Sequence, residues 1–265
     1  MIELAYILSV TLMILLPVLL AAGLRRVSPA PWLLFSLGAL TFTISQVVHL
    51  PLNEWLADLG WLPGKATGEL PLWRVALTAG LTAGLCEELA RAAGYLLLSK
   101  WRPAWLKLPS SLMLGLGHGG IESMVFGGVL TAATASALLP LRGIDLGQLG
   151  LTGEQFAALD LQLAAFTSSA WQAFLPLLER LLAISAHVVL SMLVWRAFAN
   201  RRLRRDWWYI PAAILYHTAI DYAAVWASTT YQEQPLGYLG IMLAALAPGW
   251  AWATWTIRRQ RLTRT

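Results

Sequence analysis

Long apolar runs separated by short polar or basic segments recur from one end of the chain to the other. A helix that crosses a bilayer needs about 20 apolar residues at 1.5 Å each. Seven stretches meet that length, at 4–24, 31–52, 72–98, 110–138, 171–198, 207–228 and 236–257. A shorter piece, 152–168, sets Glu154, Gln155, Asp160 and Gln162 against Phe156, Leu159, Leu163 and Phe166 at helical spacing, the pattern of an amphipathic surface helix or lid. The pattern predicts an all-α fold, a polytopic transmembrane bundle of about seven spans plus that short helix, forming one integral membrane domain over 1–265.

Composition agrees with this. Of the residues, 58% are hydrophobic and 12% charged, against about 25% charged in a soluble domain, so lipid is the main solvent and the bilayer the first partner. The net charge of +5 comes from short basic clusters between apolar runs, which makes nucleic acid a poor partner and topology the better explanation. These clusters are Arg25 and Arg26; Lys100, Arg102 and Lys107; Arg201, Arg202, Arg204 and Arg205; and Arg258, Arg259, Arg261 and Arg264. They fall in alternate loops. The positive-inside rule then sets the N-terminus outside and the C-terminus in the cytoplasm, leaves Asn53, Glu54, Asp58 and Glu69 outside, and suits a plasma membrane. The first run opens on Glu3 and is followed by arginines, the wrong polarity for a cleavable signal, so it is expected to stay as an anchor. Tryptophans such as Trp55, Trp61, Trp73, Trp101, Trp105, Trp207 and Trp208 lie at span ends, where the headgroup layer suits them. The single cysteine, Cys86, has no partner for an internal disulfide and is expected to be an inert buried thiol.

The exceptions to apolarity carry the chemistry. Charged side chains near a bilayer centre cost at least ~2.5–3.5 kcal/mol each, so they mark a functional site or a paired lock. The third span holds Glu87, Glu88 and Arg91, the fourth His118 and Glu122, the fifth His187, the sixth His217 and Asp221. Residues four apart share a helix face, which pairs Glu87 with Arg91, His118 with Glu122, and His217 with Asp221. Counted from the cytoplasmic ends, the carboxylates and imidazoles all lie about 8–13 residues in, roughly 12–20 Å deep. Structural pairs have no reason to share a depth. Glycines crowd the same stretches, among them Gly80, Gly84, Gly115, Gly117, Gly119, Gly120, Gly127 and Gly128, and permit close helix contact. His49 stands apart near the outer end of the second span, and Glu179 with Arg180 lies closer to the outer face, as expected of structural partners to other helices.

Imidazoles with a carboxylate form the ligand set of a catalytic zinc ion that keeps one position for water, and a further glutamate could take that water's proton. Adjacent glutamates in a low dielectric resist ionising together, which supplies an acid and a base from one motif. Buried Glu, Asp and His also build proton relays, so a proton- or ion-coupled transporter is the alternative.

The same residues resemble the YhfC family of intramembrane metalloproteases, allied to the CAAX-prenyl protease and bacteriocin-processing family and to the PrsW proteases. A Glu-Glu pair followed by a basic residue is matched by Glu87, Glu88 and Arg91, with a spacing closer to PrsW than to the CAAX group. Glu122 matches the glutamate of the second motif, with His118 where the PrsW pattern has phenylalanine; His187 matches a lone histidine, with Ala183 where a phenylalanine is expected; His217 and Asp221 match the last motif. The resemblance implies an intramembrane endopeptidase cutting a membrane protein or lipid-modified peptide in the cytoplasmic half of the bilayer. It implies catalytic roles for Glu87, Glu88, Arg91 and Asp221, with Zn2+ or direct water activation at His118, Glu122, His187 and His217.

Overall fold

The architecture comes from a computed structural model that describes residues 1–64, 69–199, 203–231 and 234–262. Arg201, Arg202 and Arg264, three of the basic residues that signal topology, lie outside these. A backbone in lipid must satisfy its own hydrogen bonds, and among the described residues every regular element is helical. In chain order they are α1 (Ile2–Val27), α2 (Trp32–Asp58), α3 (Leu72–Trp101), α4 (Leu108–Glu122), α5 (Leu130–Leu138), α6 (Gly153–Thr167), α7 (Leu175–Ala199), the short α8 (Leu203–Asp206), α9 (Tyr209–Thr230) and α10 (Pro235–Leu262).

Five helical runs are long and apolar enough to cross a membrane: α1, α2, Leu108–Leu141, Gln172–Ala199 and Pro235–Gln260. Their outward leucines and valines, such as Leu4, Leu19, Val47 and Leu243, stay exposed, as a lipid-facing surface should. These runs make the chain an integral membrane protein. The expected third and sixth spans form as α3 and α9, but Glu87, Glu88 and Arg91 on α3 and His217 and Asp221 on α9 leave their composition too polar to mark them as bilayer-crossing by themselves. They pack against each other, and α7 packs against both. The 152–168 piece is α6, begun by a capping box in which Thr152 and Gln155 satisfy each other's backbone N–H groups.

A π-helical stretch, Ser123–Val129, comes directly after Glu122 and joins α4 to α5 in one continuous run. Such inserts in an α-helix are frequent at functional sites. The main apolar core lies among α2, α3, α4 and α7 toward the end of the bundle that carries the basic loops, around Leu34, Tyr95, Met113, Leu114, Leu190 and Trp195. Within it the Tyr95 hydroxyl and Ser191 Oγ are 2.7 Å apart, and Ser191 Oγ donates to Ser111 O at 2.8 Å, which pins α3, α7 and α4 together.

The glycines explain how the polar residues come within reach of one another. A Cβ on Gly38 of α2 would collide with Leu114 O and lie 2.8 Å from His118 N, and one on Gly117 of α4 would collide with Phe35 O, so α2 and α4 meet backbone to backbone. Gly80 and Gly84 do the same for α3 against α9, where a Cβ would come within 2.7 Å of Thr218 O and 2.8 Å of Ile214 O. Gly38→Ala is therefore expected to destabilise the detergent-solubilised protein by about 1–3 kcal/mol. Gly23→Ala, where nothing lies within 4 Å, should leave the thermal midpoint unchanged. Equal midpoints for the two variants would contradict the close α2–α4 contact.

Candidate functional site

Arg91 is the least conventional residue in the bundle, a permanently charged group with 0% exposure. Its guanidinium can only donate hydrogen bonds, and its neighbours all accept. Nε lies 3.3 Å from Glu88 Oε2, Nη1 donates to His187 O at 2.8 Å, and Nη2 to His187 Nδ1 at 3.0 Å. Glu88 is equally buried, and its Oε1 lies 2.8 Å from His217 Nδ1. One guanidinium thus links α3 to α7 directly and to α9 through Glu88.

These contacts constrain where each imidazole holds its protons. His217 Nδ1 faces a carboxylate and so carries a proton, and Nε2 lies 3.9 Å from Glu87 Oε2 and 3.6 Å from Asp221 Oδ2. His118 Nδ1 lies 2.9 Å from Thr41 Oγ1, whose own proton goes to Gly38 O at 2.7 Å. Thr41 therefore accepts from Nδ1–H, and His118 Nε2 presents its lone pair to Glu87 Oε2 at 3.0 Å. Glu87 Oε2 thus faces the His118 lone pair, a contact that a proton or a metal cation reconciles. His187 has the opposite polarity. Because Nδ1 accepts from Arg91, the neutral ring carries its proton on Nε2, which sits 2.5 Å from Glu122 Oε2. That contact is close but out of line, and Glu122 Oε2 has no aligned hydrogen bond. The other oxygen of Glu122 accepts from Arg180 Nη1 at 2.7 Å.

Glu87, His187 and His217 each offer a ligand atom within 4.8 Å of the others, and all are buried. The donor set suits a divalent metal: one hard oxygen with two imidazole nitrogens, a second-layer carboxylate on His217, and the unbonded Glu122 Oε2 beside it. The trio lines a cavity of about 90 Å³ together with Glu122, Asp221 and Ala183, large enough for several waters. Ala183 lines it with only a methyl group. Glu179 and Tyr238 line both this cavity and a second depression at the N-terminal ends of α7 and α10.

All eight residues expected from the sequence converge, but their pairing differs. Arg91 contacts Glu88, not Glu87, because Glu87 turns toward His118. His118 and Glu122, on one helix face by spacing, take separate partners, Glu87 and His187. Glu88 faces Arg91 and His217 and is absent from the cavity wall. His217 and Asp221 do pair. Arg180, expected among structural groups, holds Glu122, and Gly127 leaves space for it, since a Cβ there would lie 2.7 Å from Arg180 Cγ. Thr41 and Gln46 were not singled out by sequence, because uncharged polar side chains are tolerated in a span without a partner that spacing alone reveals.

A family model described as YhfC intramembrane metalloprotease matches residues 12–242. A Bacillus subtilis (strain 168) protein described as "Uncharacterized membrane protein YhfC" is 26% identical over 227 residues, covering 82% of this chain and 86% of that one. No solved structure matches.

Arg91→Met leaves the Glu88 carboxylate buried without its cation and is expected to cost about 3–5 kcal/mol of stability. Adding Glu88→Gln should recover part of that loss in thermal or denaturant unfolding. Wild-type stability in the single variant would contradict a buried charge pair.

Proposed function

The chain belongs to the YhfC intramembrane metalloprotease family, and on that premise we propose that it is a metal-dependent endopeptidase acting on a peptide bond within or beside the bilayer. The observation that supports this most is the buried convergence of Glu87, His187 and His217 on a cavity with room for several waters among apolar helices. Glu87, His187 and His217 would hold a divalent ion, with zinc best suited to the donor set. When bound, such an ion acidifies a water and polarises the scissile carbonyl.

The protein's own groups supply the rest. Glu88 takes the Nδ1 proton of His217 and keeps its Nε2 turned inward, while Arg91 holds Glu88 in place. His118, fixed by Thr41, turns Glu87 Oε2 toward the cavity. His187 would offer Nε2 as a neutral ring whose proton sits on Nδ1, with the Arg91 Nη2 contact to Nδ1 given up and the Nη1 bond to His187 O kept. Glu122, on the cavity wall and held by Arg180, is placed to take the proton of the attacking water and return it to the leaving amine. Asp221, 3.6 Å from His217 Nε2 on the same cavity wall, would add negative charge beside the ion. Glu88 thereby moves from the expected base to a support.

Counted with α3 and α9, the proposed topology has seven spans, with the N-terminus outside and the C-terminus in the cytoplasm as the basic clusters would set them. In that frame the site lies near the middle of α3 and α7 and on the cytoplasmic side of the middle of α9. The substrate is a membrane protein or lipid-modified peptide cut there, and the kinship with CAAX-prenyl and PrsW proteases is part of the same proposal.

Purified wild-type protein is expected to carry near-stoichiometric zinc by elemental analysis, lost in His187→Ala and His217→Ala. Glu122→Gln should keep the metal yet cut a membrane-tethered reporter, one that wild type cleaves, at least about 100-fold more slowly. Folded wild type without metal, or undiminished cleavage by Glu122→Gln, would overturn the proposal.

A further inference from the structure

A second polar chain, outside every motif above, runs along one face of α2 and ends on Glu87. Gln46, His49 and Asn53 are spaced as i, i+3 and i+7 and are half-buried against α3. Gln46 Nε2 donates to Glu87 Oε1 at 3.3 Å and to Ser45 Oγ at 3.2 Å, so both amide protons are used. Ser45 can accept because its own proton goes to Phe42 O at 2.6 Å. Gln46 Oε1 lies 3.3 Å from His49 Nδ1, and His49 Nε2 lies 3.0 Å from Asn53 Nδ2. Asn53 Oδ1 in turn accepts from Thr82 Oγ1 of α3 at 2.8 Å, and Thr82 Oγ1 lies 3.3 Å from His49 Nε2.

With the Gln46 and Asn53 amides oriented as they stand, one assignment of protons satisfies the series. The Asn53 amide can only donate through Nδ2, so His49 Nε2 accepts and Nδ1 carries the proton. That proton needs Gln46 Oε1, which turns the Gln46 Nε2–H toward the carboxylate. Flipping the Gln46 amide would set oxygen against oxygen at Glu87 and nitrogen against N–H at His49. Every donor in the chain therefore points the same way, from Asn53 toward Glu87.

We infer that Gln46, oriented by His49 and Asn53, is a positioning residue for Glu87. It fixes Oε1 outward and so holds Oε2 toward His118 and His217. A carboxylate is otherwise free to swing about its terminal torsion, and ligands held by hydrogen bonds to a second layer bind metal about 10–100-fold more tightly than when that layer is removed. The inference rests on the reading of Glu87 as a metal-holding carboxylate.

The test uses full-length detergent-purified protein titrated with Co2+, alongside infrared spectra of the metal-free protein. The carboxyl band of Glu87 is identified by its loss in Glu87→Gln. Gln46→Leu is expected to weaken Co2+ binding about 10–100-fold and to shift that band. His49→Leu should do both to a lesser degree, and Thr43→Leu, on the exposed face of α2, should do neither. Unchanged Co2+ affinity together with an unmoved band in Gln46→Leu overturns the inference. If wild type takes up no Co2+, the metal reading of the site fails, and the band alone decides: a shift supports positioning by Gln46, and no shift removes it. Thermal midpoints separate these effects from simple unfolding.

Discussion

The structure depends on keeping one guanidinium charged inside a membrane protein. Arg91 carries its charge with no exposed surface, so that charge must be met by the protein. Glu88 supplies the counter-charge, and the carbonyl and Nδ1 of His187 each take a hydrogen bond. Each of those partners belongs to the candidate site. Satisfying Arg91 sets the rotation of α3 against α7, holds the backbone carbonyl and ring of His187, and places Glu88 where it fixes His217. Stability and site geometry are therefore the same set of contacts, which is why the imidazoles can be held in defined orientations with little polar surface to spare.

The second constraint is backbone distance. Lipid offers no hydrophobic driving force between helices, so association relies on close packing. Glycines bring α2 onto α4 and α3 onto α9 until side chains are excluded from the contact. Glu87 on α3 then reaches His118 on α4 and Gln46 on α2, while Glu88 reaches His217 on α9. Gly119 makes room in the same way for His187, where a Cβ would lie 2.9 Å from His187 Cβ. The same glycines that look like packing residues are what allow short polar contacts between helices.

Much of this was legible in the chain. Apolar length alone located the long helices, with ends that shifted by a few residues where interfacial residues continue the helix, as at Asp58 and Trp101. The shared depth of Glu87, His118, His187 and His217 pointed to a cluster. Partner choice was not legible. Spacing ties Glu87 to Arg91 and His118 to Glu122, but the rotation of neighbouring helices decides which of two adjacent glutamates faces inward, and the π-helical turn of Ser123–Val129 rotates the faces of α5 away from those of α4. His49, which shows no partner in sequence, has Gln46 and Asn53 on its own helix face. Their common spacing of three and four was the available signal, hidden because polar amides in a span attract less notice than charges.

The most direct measurement of the central claim is an anomalous-scattering structure of the protein crystallised with zinc, recorded on both sides of the zinc absorption edge. A single strong peak bounded by Glu87, His187 and His217 is the predicted result. A well-ordered bundle with no peak among these residues, or with the peak elsewhere, would contradict it.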